Sequence, residues 1–240
     1  MRETKAFFIY YSKIVSKDKI TLFWSILFPL ALGLLSYLPQ QESFNTINEK
    51  SAYLYIFWAF TTVIIFINGI GSQTSVIRQQ GLLRTFFSIS GKKFPFLLSI
   101  IFSQILVAFF AIVISTITLG SIMGIISLTL LLNMIIYLAL IIPLAPAFLI
   151  IAYIPVRAES LMTIVNILTI ALFFIASNTS NNFGGLEWVN PIYYFKELSL
   201  YISNIVTNTS LFIYLIYLLY LAIGIFCLFK LDINSKTQRT

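Results

Sequence analysis

Five polar side chains stand inside otherwise apolar stretches of this chain: Asn68, Ser103, Gln104, Asn133 and Asn166. Carboxamides and hydroxyls in such places do one of two things. They hydrogen-bond to a neighbouring helix, each contact contributing about 0.6–2 kcal/mol, or they line a path for a passing substrate. The first use is the commoner; the second stays open. Bond-breaking chemistry has little to work with. The 240 residues contain no histidine, hence neither the commonest metal ligand nor the commonest general base. Cys227, the one cysteine, lies in an apolar run and cannot form an intrachain disulfide. Gly91-Lys92 is followed by Lys93, and position 86 is Phe, so the phosphate-cradling G-x-x-x-x-G-K-[ST] loop is absent. H-E-x-x-H, G-x-S-x-G and C-x-x-C are missing too. No nucleophile–base–metal set can be assembled, which points away from an enzyme and from a cofactor or metal held by this chain.

A second group of residues could bind rather than react. The segment "VIRQQGLLRTFFSISGKKF", Val76 to Phe94, carries four basic residues and no acid. Wound as one helix, Val76, Leu82, Leu83, Phe86 and Phe87 gather on one side, and Arg78, Gly81, Arg84, Thr85 and Ser88 gather opposite. Ile77 and Ile89 flank the polar face. Gly91 suits a helix C-cap, with Lys92 and Lys93 near the negative end of the dipole. Such an element either lies on lipid or lays its apolar knobs into a groove on a partner.

The elements that must hold these residues are membrane spans. The chain is 59% hydrophobic and 10% charged, with a mean hydropathy of +0.96. A water-soluble core cannot hide that much apolar surface. Apolar stretches at 20–38, 52–72, 95–119, 125–153, 161–177 and 211–229 predict six transmembrane helices in a single all-α membrane domain over 1–240. Pro143 and Pro146 predict a kink or tilt late in the over-long fourth span. The fifth is short and contains Asn166.

Arg2, Lys5, Lys13, Lys17 and Lys19 precede the first span; Arg78, Arg84, Lys92 and Lys93 follow the second; Arg157 follows the fourth; Lys230, Lys236 and Arg239 follow the sixth. The alternate loops hold Lys50 and Lys196 beside Glu42, Glu49, Glu187 and Glu197. The positive-inside rule then predicts both termini in the cytoplasm, and accounts for the +7 net charge without nucleic acid. A cleaved signal peptide is disfavoured: the first apolar run is too long, and "LSYLPQQES" lacks a small-x-small site. Every acid falls in a predicted loop or flank, so no carboxylate sits mid-membrane, where an ion-coupled carrier usually keeps one.

Two further segments read as interfacial. Over 5–19, Phe7, Phe8, Tyr11, Ile14 and Val15 share one side of a helix and Lys5, Ser12, Lys13, Ser16 and Lys17 the other, with Ile9 a misfit. The expectation for the 1–19 arm is an aromatic side in the headgroups, lysines toward anionic lipid. In the outer region 178–210, Asn190 is a good N-cap and Pro191 suits the first helical position. Tyr194, Leu198, Tyr201, Ile202 and Ile205 form a stripe, Lys196, Glu197, Ser203 and Asn204 lie away from it, and Trp188, Tyr193 and Tyr194 fit an aromatic belt. This predicts short interfacial or re-entrant outer helices. Asn178 and Asn208 begin N-x-[ST] sequons, which matter only in a secretory eukaryotic context.

Taken together, the basic arm leading into "DKITLFWSILFPLALGLL", the segment "VIRQQGLLRTFFSISGKKF" and "WVNPIYYFKEL" before the last span resemble the membrane subunit of an ABC transporter of the ABC-2 type. That family commonly has E-R-x-x-G-T-L and then Thr-Pro after span two. Arg78, Gly81, Leu83 and Arg84 match; Ile77 replaces the acid, and "SISG" stands where Thr-Pro would be. The resemblance implies that 76–91 is a cytoplasmic coupling helix docking on a separate ATP-binding subunit that holds ATP and Mg. The contacts it implies are Arg78, Gln80, Gly81, Leu83, Arg84, Phe86 and Phe87, with Leu83, Phe86 and Phe87 as knobs. It further implies two permease subunits, alike or different, in a plasma membrane, and small bacterial exporters of peptides or drugs are the nearest pattern. Asn68, Gln104, Asn133 and Asn166 are then candidates for the substrate path or for interhelical contacts. A lipid-linked polysaccharide exporter, an ion-coupled carrier or channel, and a passive immunity or scaffold protein remain as alternatives.

Overall fold

The computed structural model describes residues 2–178, 186–205 and 211–232. Asn208, Lys236, Arg239 and the stretches 179–185 and 206–210 of the outer region lie outside the described residues. Those described are all-helical in architecture. The elements are α1 Arg2–Lys17, α2 Lys19–Tyr37, α3 Ile47–Phe66, a π-helical turn Ile67–Ser72, α4 Gln73–Gln79, α5 Leu82–Ser90, α6 Phe94–Met123, α7 Leu128–Ile141, a 3-10 segment Ile142–Tyr153, α8 Ala158–Ser177, α9 Pro191–Ile202 and α10 Leu211–Lys230, with short 3-10 turns at Leu38–Ser43 and Leu186–Val189. Among the described residues six helical stretches are long and apolar enough to cross a membrane, the architecture of a multi-pass membrane protein.

The second stretch is the axis of the bundle. It runs unbroken from Ile47 to Gln79, 33 residues. At 1.5 Å per residue that is about 50 Å, against a hydrocarbon core of about 30 Å, so it projects beyond the apolar layer. Its start is fixed by a reciprocal cap: Thr46 Oγ1 accepts from the Glu49 N–H at 3.2 Å, and Glu49 Oε2 accepts from the Thr46 N–H at 3.2 Å. Around α3 the packing is aromatic and tied by buried hydrogen bonds. Trp58 Nε1 donates to Thr116 Oγ1 of α6 at 2.8 Å, and the Thr62 and Tyr137 hydroxyls share a bond of 2.9 Å that joins α3 to α7. Phe60 packs against Phe173 of α8 with ring centres 4.5 Å apart.

The fourth stretch changes pitch where its prolines stand. Pro143 and Pro146 each lack an N–H and clash with the carbonyl four residues back, so the α-helix ends at Ile141 and the chain continues as a tighter 3-10 helix to Tyr153. The fifth runs longer than its apolar core suggests, from Ala158.

The flanking helices depart from the sequence reading. The arm α1 does not give its aromatic side to the headgroups. Tyr11 is buried against α6, Ser12 and Ser103 hydroxyls meet at 3.0 Å, and the Phe7 ring lies edge-on to Phe96 at 5.6 Å. Protein rather than lipid covers that face because α6 offers matching small and aromatic groups along it. Ile9, Tyr10 and Ile14 stay outward. At the other end of the bundle Asn190 caps α9 as expected, accepting from the Ile192 N–H at 2.9 Å, and its Nδ2 donates to the Leu172 carbonyl at 2.7 Å. Yet α9 buries Ile192, Tyr194, Phe195 and Leu198 rather than a single stripe, and Tyr194 stacks on Tyr220 at 5.3 Å. Lys196 and Glu197 are not out in water either. They pair at 3.5 Å, and Lys196 sits 4.6 Å over the Tyr193 ring. Burial pushes the Lys196 amine down and the Glu197 carboxyl up, and their mutual attraction opposes both shifts.

Candidate functional site

A cavity of about 470 Å³ opens between α1, α2, the second span, α6 and α8. That volume lies within the roughly 300–1,000 Å³ of small-molecule sites. Its wall is apolar over most of its extent, with Trp24 and Phe28 from α2, Ile64 and Ile65 from α3, Val107 from α6, and Met162 and Ile170 from α8. Asn68, Gln73, Gln104 and Asn166 line it too, four residues with carboxamide side chains. Asn68 Nδ2 donates to Asn166 Oδ1 at 2.8 Å, joining the second and fifth spans. Gln104 hydrogen-bonds the Tyr11 hydroxyl; burial pushes that phenol above its usual range, and the carboxamide partly offsets it. Three of the four carboxamides marked in the sequence therefore meet. Asn133 does not: it lies half-buried on α7, away from this wall.

The wall owes its shape to the π-helical turn. Asn68 and Gly69 both lie in it and both line the cavity. A side chain at Gly69 would collide with Gln104, whose Oε1 lies 2.1 Å from where a Cβ would stand; Gly71 faces Ile151 and the Phe148 carbonyl at 2.7 and 2.9 Å in the same sense. The glycines let the second span press against α6 on one side and the 3-10 segment on the other. Sequence reasoning missed Gly69 and Gln73, although "NGIGS" carried a signal. Each glycine inside a helix costs roughly 1 kcal/mol relative to alanine, so two in one turn call for a packing reason. Tyr11 and Asp18 also line the cavity, and nothing in the arm's pattern pointed there.

The basic segment after the second span is rearranged relative to expectation. It is not one helix over 76–91. Val76 to Gln79 complete the long span, Gly81 takes a left-handed conformation (φ 72°), and a separate helix runs from Leu82 to Ser90, ended by left-handed Gly91 (φ 66°). Three of the seven residues expected to touch a partner turn into the protein instead. Arg78 is buried on the long span and donates Nη1 to the Ala152 carbonyl. Leu83 is buried in the chain's own core at 1% exposure. Phe86 stacks on Phe96 at 4.3 Å and meets Phe7 edge-on at 5.4 Å, so its knob fills a pocket made by α1 and α6. What faces outward is Gln80, Leu82, Arg84, Thr85, Phe87 and Ser88, with Gly81 half-buried.

Gln79, which the sequence did not mark, ties this segment to the next connection at the same end. Its Nε2 donates to the Val156 carbonyl at 2.9 Å and its Oε1 accepts from the Ala158 N–H at 2.8 Å, capping α8, which has no cap of its own. Arg157, Ile154 and Pro155 are exposed on that connection, and Leu82, Arg84 and Phe87 are exposed on the helix after Gly81. The surface is basic and apolar together. Among the described residues no cluster of ligating groups could hold a metal ion. Comparison with family models, with curated proteins and with solved structures gives no match for this chain.

Proposed function

We propose that this chain is the permease subunit of an ATP-driven exporter of the ABC-2 type, carrying hydrophobic or amphipathic cargo such as membrane-active peptides or drugs. The observation that carries the reading is mechanical continuity. The outward-facing helix Leu82–Ser90 is joined through Gly81 to a span whose π-helical turn forms a wall of the cavity. A partner that moved this helix would move the wall. The charge asymmetry supports a cytoplasmic location for α1, the 80–93 connection, Arg157 and Lys230, where an ATP-binding subunit can reach them. Leu82 and Phe87 are the knobs, and Arg84 and Arg157 the positive groups, that such a subunit would meet; ATP and Mg reside on it. A second permease copy, alike or different, completes the transporter, and nucleotide-driven closure biases the bundle between inward- and outward-open states.

The test is co-purification followed by coupling. The chain should purify with a nucleotide-hydrolysing subunit. Phe87→Ala with Arg84→Glu should leave the helical fold intact, weaken that association by about tenfold or more, and cut cargo-stimulated ATP hydrolysis. Purification without any such subunit, with full transport after ATP depletion, sinks the proposal. A second reading has one observation in its favour. Asp18 lines the cavity, the only ionisable carboxylate to do so among the described residues, which would suit an ion-coupled carrier. Transport that collapses with the ion gradient and is lost in Asp18→Asn would select that reading.

A further inference from the structure

The geometry points to the cavity as a binding site for an uncharged hydrophobe that carries a secondary amide. The inference deepens the exporter reading, since it names that reading's cargo chemistry. It is nevertheless testable on the permease alone, so either can fail without the other.

The argument is an inventory of what the wall offers. Among the described residues no lysine or arginine lines the cavity, although the chain has fifteen of them and eight acids. An anion entering a largely apolar space would lose its hydration with no counter-charge, and Asp18 at the α1–α2 end would repel it further. An acyl chain would leave the remaining donors and acceptors of these carboxamides desolvated and unused. A lipophilic cation needs acceptors only, whereas the wall presents donors and acceptors in equal supply. Each carboxamide has two N–H donors and an oxygen with two lone pairs. The Asn68–Asn166 bond consumes one donor and one lone pair. Whichever of the two donates, the pair keeps N–H groups on one residue beside a carbonyl oxygen on the other. Gln73 adds a carboxamide on the next turn of the second span. A secondary amide, with one N–H and one C=O fixed on opposite edges, answers that pattern, and its apolar substituents answer Trp24, Phe28, Ile64 and Met162.

The experiment uses the full-length chain in lipid nanodiscs and three radiolabelled probes. These are N-acetyl-leucyl-leucine N-methylamide, its depsipeptide with an ester oxygen in place of the central N–H, and the free carboxylate of the same dipeptide. The triamide should bind saturably; the ester, lacking one donor, should bind about threefold to tenfold more weakly, and the carboxylate weaker still. Gln73→Leu and Asn166→Leu should bring amide and ester to equal affinity. Because Asn166→Leu also breaks an interhelical bond, Gln73→Leu, which leaves that bond in place, is the deciding variant if the first unfolds. Absence of saturable triamide binding overturns the site. So do equal affinities of amide and ester for the unmodified chain, or tighter binding of the carboxylate. Binding of tetraphenylphosphonium tighter than the triamide, and abolished by Asp18→Asn, overturns it in favour of a cation site.

Discussion

The second and sixth spans are built from similar residues and live in opposite surroundings. The sixth, Leu211–Lys230, is the more apolar by mean hydropathy, 2.6 against 1.8 for Ile47–Gln79. Yet 83% of the second span's most apolar window is buried inside the protein, and only 17% of the sixth's. In water the greasier helix would be the inner one. In lipid the ordering reverses, because hydrocarbon solvates leucine as well as a protein core does. Polar and small groups, Thr61, Thr62, Asn68, Gly69, Gly71 and Gln73, accumulate on the second span, where other helices can satisfy them or approach closely. The difference teaches where function can be placed: on the helix that is less apolar than its neighbours.

Matched substitutions can break that contrast. Trp58→Ala in the second span removes a fully buried ring and its bond to Thr116, at an expected cost of about 3–5 kcal/mol. Leu218→Ala in the sixth, where the side chain is 61% exposed, should cost no more than about 0.5 kcal/mol. Reversible unfolding in mixed micelles measures both, and losses of similar size would refute the inner–outer assignment. Next in size is a pair of glycines. Gly71→Ala puts a methyl 2.7 Å from Ile151 and 2.9 Å from the Phe148 carbonyl, and overpacking of this kind costs about 1–3 kcal/mol. Gly224→Ala in the sixth span meets its nearest neighbour at 3.1 Å, the Ala147 backbone nitrogen, and should be the milder change in the same assay.

A smaller effect belongs to the polar contact at the cavity. Asn68→Leu should cost about 0.6 kcal/mol of stability, the average of an interhelical hydrogen bond in a membrane, and so be far less damaging than Trp58→Ala. The smallest concerns the end of the sixth span. Lys93 Nζ donates to the carbonyls of Phe229 and Leu231, each at 2.7 Å, and covers the open C-terminus of α10. Burial pushes its pKa below the ordinary lysine value, and Asp232 opposes the shift. A depressed lysine makes the folded state bind protons less tightly than the unfolded one. Stability should therefore be lower below the folded-state pKa and rise with pH from there toward 10.5. Thermal melts at stepped pH should show this small rise, and Lys93→Met should abolish it while lowering the melting temperature.

Much of this arrangement is legible in the amino-acid sequence. Runs of apolar residues fix the six crossings, Pro143 and Pro146 fix the change of pitch, and Asn190-Pro191 fixes the start of α9, because each acts through its immediate neighbours. The convergence of Asn68, Gln104 and Asn166 is legible as candidacy only, since three residues far apart in sequence meet through tertiary packing. The 76–94 segment shows why amphipathic winding fails near a boundary. Its periodicity runs smoothly across Gly81, but a left-handed glycine there resets the helix axis, and Arg78 and Leu83 end on different elements, both turned into the protein. The arm departs for another reason. Periodicity gives the apolar side of a helix, not what covers it, and α6 took the place allotted to lipid.

The wide turn at Ile67–Ser72 has a bearing on everything downstream of it. A π-helical turn holds one more residue than the α-helix it interrupts, and each residue of an α-helix accounts for about 100° of rotation. Delete one residue between Ile67 and Ser72 and the second span would rewind to ordinary pitch, swinging the residues that follow by about a quarter-turn. Arg78 would be dragged off the Ala152 carbonyl, and Gln79 would release the start of α8. A single codon's worth of slack within the second span thus aims the bolts that fasten two connections together further along the same helix.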